Sequence, residues 1–295
     1  MAVSVVSPPQ AVTRRGFLKA TLYGAAGLAL YAGEVERHWI QITQREVRLN
    51  GLAAAFDGLR IVQLSDIHMD QYTEPLFLRY AIERINQLNP DVIFLTGDFV
   101  SNEIMSKKFE QGAAWQCANM LTELKCPERY AILGNHDVAV GAQHVIAALT
   151  ANRIAVLDNS CLPIERAGAR FWLAGLADPL EDHPNPDLAI PISIRHIPDQ
   201  PVVLLCHAPD YVDTLLAHPA GSAVSLMLSG HTHGGQIRLP FVGAMQLPLL
   251  GRKYIEGWFR LQQLQLHVNR GLGTVGVPFR FDCPPEISLI TLRAA

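Results

Sequence analysis

The chain has 295 residues, 49% of them hydrophobic, and a formal net charge of −3. The apolar content is ample for a large core, and the slightly acidic balance, with no basic stripe interleaved with aromatics, excludes a general nucleic-acid binder. The five cysteines are scattered and form no Cys-x-x-Cys pair, which excludes a disulfide framework or a structural zinc site.

In chain order, the first signal is Thr13-Arg14-Arg15-Gly16-Phe17-Leu18-Lys19, followed by an apolar stretch over residues 20–33. This matches a twin-arginine export signal. The apolar stretch falls short of the roughly 20 residues of a membrane span and suits a signal core. It predicts export by the twin-arginine machinery to the periplasm or cell envelope. Ala29 and Ala32 lie three apart, so no clean Ala-x-Ala cleavage site ends the stretch, and persistence as a membrane tether stays open beside removal. The competing reading is the basic start of an ordinary buried helix. Residues 1–36 are assigned to this segment and residues 37–295 to a single folded body.

Residues 39–49 alternate apolar and polar, which predicts an edge or antiparallel strand. Residues 60–64 form the first core strand. Residues 74–88 show a helical face of Leu76, Leu78, Ile82, Ile85 and Leu88 that ends before Asn89-Pro90. Strands follow at 92–95, 130–133, 154–157 and 171–174, with helices at 113–124 and 142–150. Residues 178–201 hold five prolines besides Pro201 and predict a long surface excursion, a candidate substrate-shaping loop. Strands at 202–205 and 225–228 flank a helix at 211–217. The remainder is strand-like and punctuated by glycine and proline. Residues 240–250 carry no charge and two prolines, and fit a cap over a site, a membrane-touching loop or an ordinary packed loop. The βαβ alternation predicts a layered α/β fold.

Polar clusters stand directly after the apolar runs: Asp66-Ile67-His68, Gly97-Asp98, Gly134-Asn135-His136-Asp137, Cys206-His207 and Gly230-His231-Thr232-His233. Ligands gathered at strand ends are how α/β proteins build active sites. In an extended segment, residues two apart point the same way, so Asp66 with His68, and His231 with His233, can each chelate. Two Asp, one Asn and four His are too many donors for one ion and suit two. A nitrogen and oxygen set without thiolate favours Mn, Fe or Zn over Mg or Ca. Two divalent ions against two carboxylates leave net positive charge, which suits an anionic phosphoester.

These five motifs, in this order, resemble the calcineurin-like metallophosphoesterase superfamily. Gly-His-Thr-His-Gly-Gly-Gln at 230–236, Asn269-Arg270-Gly271-Leu272-Gly273 and Pro284-Pro285-Glu286-Ile287 resemble its YkuE/YaeI-like phosphodiesterase branch, which includes lipid-sugar pyrophosphate hydrolases. The resemblance covers residues 39–295. It implies an α/β fold, a four-layer α/β/β/α metallophosphoesterase sandwich of two mixed sheets flanked by helices. It also implies that Asp66, His68 and His233 hold one divalent metal, that Asn135, His207 and His231 hold a second, and that Asp98 bridges them. His136 would protonate the leaving oxygen, a task suited to a side chain whose ordinary pKa lies near neutrality. Asp137 would orient the His136 ring, and Arg270 would grip a phosphate. The implied activity is phosphodiester or pyrophosphate hydrolysis of a small-molecule or lipid-linked envelope substrate, with association to a membrane surface open.

Each assignment has a plainer rival. Asp after a strand is often a cap or turn residue, and a lone His beside an apolar run often packs or faces solvent. Jointly those rivals fail at seven donors on five strand ends. They stand for His38, His144, His183, His196, His218 and His267, which lie outside the motifs. Cys206 reads as core, because neighbours in a strand point to opposite faces. Two rival functions remain on the same fold: a phosphomonoesterase or protein phosphatase, and a non-catalytic binding module.

Overall fold

The structure, a computed structural model, describes residues 13–70, 75–102 and 107–295. Helix α1 (Arg14–Leu30) runs through a π-helical turn (Tyr31–Val35) into strand β1 (Gln41–Leu49). Strand β2 (Arg60–Leu64), helix α2 (Pro75–Leu88), strand β3 (Val92–Leu95), helix α3 (Lys107–Met120), strand β4 (Arg129–Ala131), helix α4 (Asn135–Ala151) and strand β5 (Ala155–Val156) follow. Next come the antiparallel pair β6 (Ser160–Arg166) and β7 (Ala169–Gly175), a short helix α5 (Pro186–Ala189), strand β8 (Val202–Leu205), helix α6 (Tyr211–Ala217) and strand β9 (Val224–Ser229). A small ribbon of β10 (Arg238–Leu239) and β11 (Gly243–Ala244) precedes β12 (Gly257–Leu261), β13 (Leu264–Val268) and β14 (Glu286–Ala294).

Two six-stranded mixed sheets result, in the orders β1-β14-β2-β3-β4-β5 and β12-β13-β9-β8-β7-β6. The short apolar runs alternate between two cores, as the two-residue period of a strand requires. Ile61, Val92, Phe94, Val203, Leu205, Leu226 and Leu228 point between the sheets. Val62, Leu64, Ile93 and Leu95 face α2, α3 and α4 on one outer side, and Val202, Leu204 and Met227 face α6 on the other. Four layers, α/β/β/α, follow from strands that are apolar on both faces.

Several boundaries differ from expectation. Strand β1 is an edge strand, but it pairs with β14 in parallel. Helix α2 begins at Pro75; its expected first residue, Glu74, lies outside the described residues. Helix α4 begins at Asn135, seven residues before the expected start at 142, and Gly141 breaks it with φ 133°. Strand β6 had no expectation, because Pro163 interrupts its alternation. Residues 178–201 pack along the outer face of the second sheet instead of forming a free excursion: Ala189, Ile190 and Ile194 are buried there, while Leu188 and Ile192 stay exposed. At the other end, Ala32, Gly33, Glu36 and Arg37 are buried, and a division after Glu36 runs through packed chain.

Candidate metal centre

The loops after β2, β3, β4, β8 and β9 meet at one rim and are laced by backbone bonds. Asp66 N–H donates to Gly97 O at 2.9 Å, His68 N–H to Asp98 O at 3.0 Å and Gly230 N–H to His207 O at 3.1 Å. His231 N–H donates to the Asp66 carboxylate at 2.9 Å, and His136 N–H to Asp98 Oδ1 at 2.9 Å. Gly97 and Gly134 permit the nesting. A Cβ on Gly97 would stand 2.5 Å from Gly134 N and 2.8 Å from His207 Nδ1, and one on Gly134 would meet the Asp98 carboxylate. Asp66, His68, Asp98, His231 and His233 all adopt positive φ, between 47° and 73°. Five strained non-glycine residues in one cluster mark a site whose geometry the surrounding structure enforces.

The donors form three overlapping groups whose ligand atoms lie within 4.8 Å of one another: Asp66, His68 and His233; His68, Asp98 and His136; Asp98, His207 and His231. His233 Nε2 is 3.0 Å from His68 Nε2 and 3.4 Å from Asp66 Oδ1. His207 Nε2 is 3.1 Å and His68 Nε2 3.5 Å from Asp98 Oδ2. Donors sharing an ion at about 2.1 Å stand about 3–4 Å apart, so these spacings fit common cations. Asn135 Oδ1 is buried without a hydrogen-bond partner, which costs free energy unless something else binds it, and His207 Nε2 is buried with the Asp98 carboxylate beside it. Asn135 lines the same pocket as Asp98, His231 and His233. The site thus brings together all seven expected donors, and the orphaned Asn135 oxygen fits a metal.

Groups behind the donors aim them. His207 Nδ1 is 2.6 Å from Thr96 O and His231 Nε2 is 2.8 Å from Leu249 O, so each ring donates an N–H there and turns its other nitrogen inward. His68 Nδ1 is 3.2 Å from Ser101 Oγ, which donates to Asp70 at 2.9 Å. Burial lowers the pKa of His231 to about 4 and holds His68 and His233 well below the ordinary range, so these rings are neutral at pH 7, as ligands must be. Burial pushes Asp66 up to about 6. Burial also works against ionised Asp98, but His207 and His136 beside it outweigh that and hold its pKa low. His207 is the exception among the rings: Asp98 and Asp66 overcome its burial and raise its pKa.

His136 is half-buried with its ring edge-on to His68 at 4.8 Å between centroids. Its Nδ1 accepts Asn102 N–H at 3.3 Å, so the neutral ring carries its proton on Nε2. The expected Asp137–His136 ring contact gives way to another arrangement. Asp137 is fully buried and accepts the backbone N–H groups of Asp98 (2.7 Å), Phe99 (2.8 Å), Gly134 (3.0 Å) and Val100 (3.3 Å). It clamps the loop that carries Asp98, because four orphan donors outcompete one ring nitrogen. Arg270, expected to grip a phosphate, stands among protein partners. Its guanidinium is held by Glu286 at 3.1 Å and Gln41 at 2.6 Å, with Glu256 at 3.7 Å.

A different arginine stands at the centre. Arg280 is fully buried and donates to Gly273 O (2.6 Å), Arg270 O (2.9 Å) and Cys283 O (3.1 Å), with its Nη2 3.4 Å from His233 Nδ1. The loop it grips in turn donates Gly273 N–H to Asp66 O at 2.7 Å. No sequence motif announced Arg280, and a buried arginine is legible only once its carbonyl partners are known. Beside the donors opens a pocket of about 310 Å³. One wall is Asp98, Asn135, His136, His231 and His233; the other is Ile237, Met245, Pro248, Val275 and Val277.

The family model for calcineurin-like phosphoesterases matches residues 59–235. The metallophosphoesterase YkuE of Bacillus subtilis is 34% identical over 294 residues, 96% of this chain and 98% of its own length. Phosphodiesterase YaeI of Escherichia coli is 30% identical over 95% of this chain and 99% of its own. The UDP-2,3-diacylglucosamine pyrophosphatase LpxG of Chlamydia muridarum is 26% identical over 88% of this chain and 92% of its own.

Proposed function

The chain belongs to the calcineurin-like phosphoesterase family, and from that premise we propose that it hydrolyses a phosphodiester or pyrophosphate with two divalent ions at this centre. The observation that carries the reading is the convergence of seven donors, one of whose atoms, Asn135 Oδ1, is buried and unpartnered. Asp66, His68 and His233 would hold one ion, Asn135, His207 and His231 the other, and Asp98 both. Mn, Fe or Zn suits this donor set. Bound ions supply positive charge that polarises phosphoryl oxygens and makes water a nucleophile near neutral pH. The chain's own part is to orient and to move a proton. His136 holds a proton at Nε2 toward the pocket and delivers it to the leaving oxygen, while Asn102 N–H fixes the ring through Nδ1. Asp137 keeps Asp98 in place through the backbone.

The pocket favours a diester over a monoester. Among the described residues none that lines it is Lys or Arg, so none of them offers a side-chain cation to the second negative charge of a monoester dianion. The apolar wall suits a substrate with an apolar arm, and a lipid-linked envelope metabolite has one. The printed activities of YaeI, a phosphodiesterase, and LpxG, a pyrophosphatase acting on a diacylated sugar nucleotide, support the same class. Metal-stripped protein resupplied with Mn should cleave bis-p-nitrophenyl phosphate at least ten times faster than p-nitrophenyl phosphate. A preference for the monoester would move the reading to the phosphatases.

Export by the twin-arginine route to the periplasm or cell envelope is part of the proposal. It is supported by Arg14-Arg15 and by the burial of no α1 residue in the body. This route carries folded proteins, so metal can be loaded before export. Arg14→Lys with Arg15→Lys should leave the protein in the cytoplasm, and unchanged localisation would defeat it.

A further inference from the structure

Four observations converge on one face. First, α1 is solvent-exposed along its whole length, Phe17, Leu18, Leu22 and Tyr23 included, although most of its residues are apolar. Second, its root is built into the body. Ala32 O accepts Arg280 N–H at 3.0 Å, Glu36 accepts Cys283 N–H at 2.6 Å, and a Cβ on Gly33 would stand 2.9 Å from the Phe279 ring. Third, that root stands beside the uncharged loop of residues 240–250. Tyr31 and Trp39 from the root side, and Pro240 and Phe281 opposite, line one cavity. Fourth, the loop presents Phe241 and Val242 to solvent, and Phe241 sits at φ 66°, a conformation an aromatic side chain rarely takes. The same loop supplies Met245 and Pro248 to the pocket beside the metal donors.

We propose that this face docks on an anionic lipid surface, with α1 retained as an interfacial anchor and the 240–250 loop seating the pocket mouth against the lipid. Among the described residues no helix is long and apolar enough to cross a membrane, and α1, whose cations Arg14, Arg15 and Lys19 stand at one end of an otherwise uncharged helix, is assigned to the lipid surface as an anchor and not as a span. Charge selects the occupant. Arg14, Arg15 and Lys19 are the only charged residues between 14 and 33, and cations beside exposed apolar and aromatic side chains suit anionic headgroups. A second copy of the chain would bury Phe241 and Val242 as well, and a dimer is the outcome that would tell against lipid. The root contacts bear on retention. Removing residues 32–36 would strip Arg280 N–H and Cys283 N–H, next to the donors, of their acceptors. The proposal rests on the pocket being the phosphodiester site: the face then presents a lipid-linked phosphoester to the metals from the bilayer side, along Met245 and Pro248.

The test is co-sedimentation of the full chain with vesicles of phosphatidylcholine alone and of phosphatidylcholine with 25% phosphatidylglycerol, for wild type and Phe241→Ser/Val242→Ser. Neither residue lines the pocket. Wild type should bind the anionic vesicles at least tenfold more tightly than the neutral ones. The double variant should lose at least tenfold of that binding, keep bis-p-nitrophenyl phosphate hydrolysis within twofold, and thereby show that it folds. Intact mass of protein from native membranes should include residues 32–36. Equal binding by variant and wild type, no vesicle binding by wild type, a wild-type dimer that the double variant dissociates, or a mature chain starting beyond residue 36 would each overturn the proposal. Loss of diester hydrolysis in wild type itself, with vesicle binding intact, would instead strike the reading of the metal site.

Discussion

His136 and Asp98 share one cluster but have different neighbours, and mutation separates them. Asp98 Oδ2 faces His207 and His68 Nε2, so Asp98→Ala removes a donor from both halves of the centre. It should abolish metal retention and activity together. His136 contributes a proton rather than a lone pair, so His136→Ala should retain metal by elemental analysis and lose about 10²–10⁴-fold in turnover, the usual worth of general acid catalysis. Equal metal loss in the two variants would contradict this division. At this scale Asp66, His68, His231 and His233 sit at positive φ rather than in extended segments, and His231 and His233 fall in different donor groups. The ligands were still legible in the sequence, because their chemistry is written in their type and their place after apolar runs. The groups behind them were not. Thr96 and Leu249 act through backbone carbonyls that any residue carries. Arg270 was singled out by its motif and Arg280 was not. A sequence gives both the same guanidinium, and only packing shows that Glu286 claims one while a ring of carbonyls claims the other.

Between the strands, the two sheets are joined by a buried polar chain as well as by apolar packing. His267 on β13 lies 2.8 Å from Gln63 on β2 through Nδ1 and 3.9 Å from Glu286 on β14 through Nε2, and Gln63 donates to Ser229 O on β9 at 2.9 Å. Burial is the main reason the His267 pKa falls to about 4, despite the opposing pull of Glu286. An unfolded histidine titrates near 6.5, so between pH 6.5 and 4 the unfolded chain binds the extra proton and acid favours unfolding. The contribution is complete above about pH 6.5 and lost as pH falls toward 4, amounting to about 3 kcal/mol. Denaturant melts of metal-stripped protein at pH 7 and pH 4.5 should show a smaller loss in His267→Gln than in wild type; an identical loss would exclude this pair as the cause. Element positions were readable where a run is apolar on both faces. Residues 60–64, 92–95 and 202–205 fall on β2, β3 and β8 residue for residue. They were unreadable where tertiary contacts overrule local pattern. Polar Asn135-His136-Asp137 hid the start of α4, and the prolines of residues 178–201 hid a segment whose Ala189 and Ile190 are core.

Across the whole molecule, the four layers put five strand ends on one rim. The two cores are filled by the strand runs that precede the donors, so the chain's apolar pattern and its site chemistry are one design. Order and type of motif sufficed for the layered fold, whereas the parallel pairing of β1 with β14 joins residues as far apart in the chain as Gln41 and Glu286 and leaves no local trace. That pairing closes the first sheet beside Gly271 and Leu272, whose loop backs Asp66. The central claim is that this rim holds two ions and that both are needed to break a phosphoester. It is tested most directly by titrating chelator-stripped protein with Mn while following bis-p-nitrophenyl phosphate hydrolysis. The rate should rise from background and level off at two equivalents of metal per chain. Full activity in the stripped protein, or a plateau at one equivalent, would contradict a two-ion centre.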